Sequence, residues 1–365
     1  MRQQGYLLVA DITGYSEFRD PEELAHAENI LRELFGTLIG QLKAPWEIHE
    51  LGTDPIFACL LDGDILQGQT LLEMVEHLYR LFTKKREQIL QNTTCSCKAC
   101  EQISALSLGI VVHHGSFIVN EVAGAERLSG EDLVVVHTLL RNRITEATGV
   151  EMYAFFTEAA ANAMSLGELV HGMKIHTEFY EQLGQHGGFV HDLHSIWKRT
   201  KESRRIYVDT KNLYFRVEGD FPAPLAIVWD YLTEPERWRQ RLRANYLSIK
   251  GKSQGRVGVG CDQHCVFGKQ VKTQTIVDWR PFDYFTTDLA TPFRGTMRQT
   301  TQLSETEDST RVSWYFSKPT GRNLAHTLLI KLKMAFAKGR MRRDVKKGRQ
   351  IIYDLMETEL AEGQS

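Results

Sequence analysis

Tyr6-Leu7-Leu8-Val9-Ala10-Asp11-Ile12-Thr13-Gly14-Tyr15-Ser16-Glu17-Phe18 is the stretch on which the reading of the fold turns. Five residues of apolar strand run into Asp11, and Gly14 opens a turn toward a polar, helix-forming segment. A carboxylate at the end of a buried strand is costly unless something pairs with it. Two partners suit it: the backbone of the following turn or helix, which an Asp caps well, or a hard divalent cation that takes carboxylate oxygens.

A second carboxylate, Asp54, follows 43 residues later. Between the two, Pro21 to Leu42 carries Leu24, Ala27, Ile30, Leu31, Leu34, Phe35 and Leu38 at helical spacing, with Pro21 at the start and Glu22 and Glu23 in the first turn. Trp46 to Leu60 then reads as two short strands joined by a turn at Gly52 to Pro55. A strand-ending Asp, one helix and a hairpin-tip Asp can meet at one point.

This combination resembles the class III nucleotide cyclase homology domain, whose first strand carries a Phe-x-Asp-Ile-x-Gly-Phe-type motif and whose next hairpin has a Gly-Asp tip. The resemblance implies that Asp11 and Asp54 hold two Mg or Mn ions in a two-metal site. It also implies nucleotide contacts at Ile12, Thr13 and Gly14. The family reads its purine four residues before the hairpin Asp, which places Glu50, a guanine-type residue, in that role; Thr53 stands where the family has Gly.

Downstream, Ile65 to Leu90 is expected as a second long helix. Ser104 to Gly115 is expected as a buried strand, with Ser116 to Val122 returning beside it; the Gly-Ile-Val-Val-His-His-Gly run is similar to a hairpin of the same family. Gly130 to Ala147 reads as one helix. In the family this helix supplies an Asn that orients the ribose and an Arg that neutralises charge in the transition state. Here His137 stands at the Asn position and Arg141 is the neighbour for the Arg role, so catalysis is expected to be weakened or lost. A strand at Glu151 to Phe156, a short helix from Thr157 and a closing hairpin over Met173 to Leu193 complete a ferredoxin-like α+β pattern.

Cys95, Cys97 and Cys100 sit in one polar loop, three cysteines in six residues. Thiolates at this spacing can share a zinc ion, the fourth ligand coming from a His or a dimer partner; a surface cluster without metal is the other reading. Cys261 and Cys265 are expected on one strand, four positions apart, as packing residues.

The chain has 365 residues, 42% apolar and 25% charged, with a formal net charge of −2. That balance suits two globular domains and gives no general argument for nucleic-acid binding. Six cysteines in so long a chain are no disulfide framework, and Met1 to Gln4 leads straight into a strand without an apolar leader, so a cytoplasmic setting is expected. No apolar run approaches the ~20 residues of a membrane span.

From Ile196 to Lys211 the chain is dense in charge and reads as a linker between domains at 1–195 and 212–365. The second domain begins with a strand at Leu213 to Phe221 and a helix after Pro222-Ala223-Pro224; six strands follow, then a helix from about Leu324 to Glu359. This order is similar to the START-like (SRPBCC) helix-grip fold, as are Ala226 to Thr233, Gly258-Val259-Gly260-Cys261 and Asp278-Trp279-Arg280-Pro281. The resemblance implies an apolar small molecule or lipid as ligand. Tyr284, Phe285, Trp314, Tyr315, Phe316 and Met334 either line its cavity or fill the core. Nine basic residues between Lys331 and Arg349 interleave with leucines and Phe336, which suits either a solvated outer face or peripheral contact with an anionic membrane.

Three functions are compatible with these features. One is a signalling protein that binds a purine nucleotide and metal and couples this to an apolar ligand. Another is an active nucleotide cyclase, which requires a homodimer because the chain has one such domain. The last is a ligand carrier whose first domain is a dimerisation scaffold.

Overall fold

The computed structural model describes residues 2–14, 23–43, 45–50, 55–62, 68–122, 125–268, 270–291 and 295–362. They form two compact units, residues 1–64 with 71–203 and residues 65–70 with 204–365.

In the first unit the described elements run β1 (Arg2–Thr13), α1 (Leu24–Ile39), β2 (Glu47–Glu50), β3 (Ile56–Leu61), α2 (Gly68–Asn92), α3 (Lys98–Glu101), β4 (Ser107–Val122) and β5 (Ala125–Ser129). They continue with α4 (Glu131–Leu139), α5 (Ile144–Thr148), β6 (Tyr153–Thr157), α6 (Glu158–Ala163), β7 (Lys174–Tyr180), β8 (Gly184–Asp192) and α7 (Leu193–Glu202). The strands make one sheet in the order β2-β3-β1-β4-β6-β8-β7, with β5 paired to β4. Strand β1 lies inside it, antiparallel to both β3 and β4. Leu7, Leu8, Val9 and Ala10 are all at most 1% exposed, so consecutive side chains are buried on opposite faces. One face carries a core of Leu7, Val9, Phe57 and Val111 against Val135, Val136 and Leu139 of α4.

Two expectations for this unit are corrected. The His113-His114-Gly115 segment makes no hairpin; β4 is one strand of 16 residues, and its register against β1 runs unbroken from Arg2 opposite Ile118 to Thr13 opposite Ser107. Gly115 is there for space, as its missing Cβ would lie 2.4–2.6 Å from side-chain atoms of Asp132. The helix expected over Gly130 to Ala147 breaks between Leu139 and Ile144. Asn142 causes the break locally: its Oδ1 accepts from the Ile144 N–H at 3.0 Å while its Nδ2 donates to the Leu139 carbonyl at 2.7 Å.

The second unit has β9 (Leu213–Phe221), α8 (Leu225–Thr233), α9 (Pro235–Leu242), β10 (Tyr246–Lys250), β11 (Asp262–Phe267), β12 (Gln270–Arg280), β13 (Tyr284–Thr291), β14 (Gly295–Glu305), β15 (Thr310–Ser317) and α10 (Leu324–Glu362). Its antiparallel sheet follows chain order from β10 to β15, and β9 closes it beside β15. Trp229 of α8 anchors the core, with ring centroids 5.3, 5.5 and 5.8 Å from Trp279, Phe282 and Phe285. Phe282 holds φ of 64°, a conformation that costs a non-glycine residue on the order of 1 kcal/mol and persists because its ring is packed. Asp278, 3% exposed, ties the adjoining chain together, accepting from the Ile206 N–H at 2.7 Å, the Tyr284 hydroxyl at 2.6 Å and the Arg280 Nε at 3.0 Å.

Both Cys261 and Cys265 are buried, but only Cys265 lies on a strand; Cys261 precedes β11 and packs with Val257 and Ile276. Helix α10 buries Ile330, Met334, Ile352 and Met356, while Leu324, Leu328, Leu332 and Phe336 remain exposed. Among the described residues no helix is long and apolar enough to cross a membrane.

Candidate functional site

In the first unit, β1 carries Asp11 opposite Gly109 of β4, and Gly109 in turn lies beside Tyr153 of β6. A Cβ on Gly109 would stand 3.3 Å from the Tyr153 hydroxyl, so glycine lets that ring lie flat on the strand. The hydroxyl donates to Asn142 Oδ1 at 2.9 Å. Its pKa is raised, first by burial and further by the negative charge of Asp11, which outweigh the Asn142 hydrogen bond. Asp11, Tyr153 and Asn142 thus share one polar corner at the end of α4.

The neighbouring candidate residues are placed as follows. Ile12 is buried, Thr13 pairs with Ser107, and Gly14 has φ of 85°, a left-handed turn conformation that suits glycine. Strand β3 begins at Ile56, directly opposite Ala10, the residue before Asp11. Glu50 ends β2 opposite Phe57; Asp54 lies outside the described residues. His137 stacks on Phe57, ring centroids 5.3 Å apart and planes 18° from parallel. Arg141 is exposed, and its carbonyl accepts from the Tyr180 hydroxyl at 3.4 Å.

The three loop cysteines do come together, and His26 of α1 joins them.

In the second unit a cavity of about 380 Å³ opens between the sheet and the C-terminal half of α10. Among the described residues five cations line it: Arg241 on α9, Arg243 after it, Lys272 on β12, and Lys347 and Arg349 on α10. Asp344 is the one acid among the described lining residues. Phe267, Trp314, Val345 and Ile351 supply apolar wall.

Arg241 stands apart from the other four. It is 8% exposed and lies 5.1 Å from the centroid of the Trp238 ring. No carboxylate among the described residues forms an ion pair with it. Burial pushes its guanidinium down to about 10. Arg349 is held differently, donating to the Glu218 carbonyl at 3.1 Å, with its stem over Gly219 where a Cβ would collide with it at 2.3 Å.

Of the aromatic residues expected at a cavity, Trp314 lines this one. Phe285 packs in the Trp229 cluster, Phe316 stacks on Phe215 with centroids 4.5 Å apart, and Met334 is buried on the inner face of α10. The reading of the sequence missed Arg241, Arg243 and Lys272. The signal available was the pair of arginines flanking Leu242 at the end of a helical segment, with Trp238 three residues before the first of them.

Residues 214–352 match the family described as Polyketide cyclase / dehydrase and lipid transport, and residues 31–148 match one described as Protein of unknown function (DUF2652). The uncharacterized protein Rv2561/Rv2562 of Mycobacterium tuberculosis (strain ATCC 25618 / H37Rv) is 35% identical over 83 residues, covering 23% of this chain and 37% of that protein. The match therefore spans little more than a third of the relative's length. Among solved structures, the guanylyl cyclase Cya2 is 16% identical, covering 52% of this chain and 92% of its own, with a TM-score of 0.39. The adenylyl cyclase CyaB from P. aeruginosa is 12% identical, covering 52% and 95%, also with a TM-score of 0.39.

Proposed function

Taking residues 214–352 as a domain of the polyketide cyclase / dehydrase and lipid transport family, we propose that it binds an amphiphilic small molecule whose anionic end is held by Arg241. The carrying observation is that this guanidinium is buried at the cavity with no acidic partner among the described residues. An unpaired buried charge is costly, and a carboxylate or phosphate entering the cavity would relieve that cost. The volume falls in the range of small-molecule sites, and Trp314, Val345 and Ile351 offer apolar surface to the rest of the ligand. The exposed row Leu324, Leu328, Leu332 and Phe336, near Lys331 and Lys333, supports contact with an anionic bilayer as the source of such a ligand.

The test is titration of the full chain with a long-chain fatty acid and with the alcohol of equal length. The acid should bind at least about tenfold tighter, a difference of about 1.4 kcal/mol. Equal affinities would overturn the reading.

For the first unit we propose a purine nucleotide with Mg or Mn, bound at Asp11 and Asp54, with cyclase catalysis weakened. The antiparallel start of β3 beside Ala10 supports this, because it brings the chain that follows Asp54 alongside the Asp11 end of β1. The stacking of His137 on Phe57 supports the loss of catalysis, since the ring is engaged against the core where a ribose-orienting amide is required.

A further inference from the structure

Four zinc-type ligands from two distant parts of the first unit converge on one point. His26 lies on α1; Cys95, Cys97 and Cys100 lie in the connection between α2 and β4. One donor atom from each falls within 4.8 Å of all the others. The Nδ1 of His26 is 3.4 Å from the Cys97 sulfur and 3.7 Å from the Cys95 sulfur. A tetrahedral ion with Zn–S of about 2.3 Å and Zn–N of about 2.0–2.1 Å places its nitrogen and sulfur ligands about 3.6 Å apart. The two nitrogen–sulfur separations already match an edge of such a tetrahedron, and the remaining donor pairs all lie within 4.8 Å.

We propose that His26, Cys95, Cys97 and Cys100 bind one zinc ion in a closed Cys₃His site. The donor set is soft sulfur with one imidazole, the combination that selects zinc over Mg, Ca or Mn. Four protein ligands leave no open position, so the ion is structural. Ordinary packing does not gather these groups: His26 and Cys95 are exposed, and thiols are weak hydrogen-bonding partners.

The scaffold beneath the cluster is built without the metal. Glu23, just before α1, accepts from the backbone N–H groups of Lys98 at 2.9 Å and Ala99 at 2.8 Å, fixing the cysteine loop to the start of α1. Ala99 and Ile103 are buried below it. The ion would add a second clamp at the same junction, closing a loop of about seventy residues between His26 and the cysteines. Because a preformed site is absent from the unfolded chain, its binding free energy adds to folding.

The experiment is metal analysis of tag-free full-length protein purified without chelator, followed by cobalt substitution of stripped protein. About one zinc per chain is expected, together with the visible d–d bands of tetrahedral cobalt and a thiolate charge-transfer band. His26→Ala should shift the d–d bands and weaken cobalt binding at least about tenfold. The wild-type spectrum carries the test if that variant fails to fold, and a chelator should lower the melting temperature of wild-type protein. Protein that takes up no zinc when it is offered in excess would overturn the site. So would a disulfide among the three cysteines in fresh protein, or an unchanged cobalt spectrum in a folded His26→Ala variant.

Discussion

Asp132 occupies the space in which a side chain on Gly115 would stand. Its carboxylate accepts from the Ser116 N–H at 2.7 Å and lies 3.3 Å from His113 Nε2, binding the N-terminus of α4 to the middle of β4. Gly115→Ala should therefore destabilise the protein by about 1–3 kcal/mol, as overpacking does. In an Asp132→Ala background the same change should cost less, because the obstructing carboxylate is gone. Urea unfolding of the four proteins in that cycle measures the coupling.

The same corner predicts a pH dependence. Burial lowers the pKa of His113 although Asp132 raises it, so the folded chain takes up this proton less readily than the unfolded one, whose histidine titrates near about 6.5. Stability then rises with pH and is lost as pH falls below about 6.5. Burial works to raise the pKa of Asp132, but hydrogen bonds from Ser116 and His113 outweigh it and the net shift is downward. Its contribution holds above the unfolded value of about 3.9 and disappears below that. His113→Gln should flatten the fall in urea midpoint between pH 7 and pH 5; an unchanged slope would show that His113 is not the titrating group.

Two buried arginines of the second unit are held differently, Arg280 by a carboxylate and Arg241 without one among the described residues. Arg280, 5% exposed, pairs with Asp278, and Asp278→Ala should cost about 3–5 kcal/mol because it removes a carboxylate from that buried guanidinium and takes the acceptor from Tyr284 and the Ile206 N–H. Thermal and urea melts would show the loss directly.

Arg241→Met should leave the urea midpoint unchanged or higher, since it replaces a buried charge that has no acidic partner among the described residues by an apolar side chain of similar length. The same variant should bind a fatty acid and its alcohol alike. A variant that unfolds, or keeps its preference for the acid, would count against the ligand role of Arg241.

For the nucleotide reading, GTP and ATP with Mg or Mn should bind the wild-type protein and fail to bind Asp11→Ala with Asp54→Ala, and little cyclic nucleotide should form. Abundant product that vanishes in the double variant would instead show an active cyclase in which His137 is tolerated.

Legibility of the sequence followed the range of the interactions involved. The buried strand at Leu7 to Ile12, the helix around Leu34 and the order of elements in the second unit are written in local periodicity and were readable. The continuity of β4 was not, because Gly115 serves a contact with Asp132, and glycine in a turn looks the same as glycine under a neighbour. The break after Leu139 hinged on one Asn side chain bonding both ways along the backbone. His26 stands some seventy residues from the cysteines it meets, and Arg241 became a site residue only when α10 crossed the sheet; both depend on tertiary proximity that no local window contains.

The central position of β1 has a consequence for how the chain is made. Leu7 faces Cys59 on one side and His113 on the other, so its second neighbour leaves the ribosome about a hundred residues after it does. At about 5–20 residues per second that interval is roughly 5–20 seconds, during which a strand of leucine, valine and isoleucine is synthesised but incompletely covered. Protein made faster than this strand can be covered should be lost to inclusion bodies, and slower translation at lower temperature should recover it.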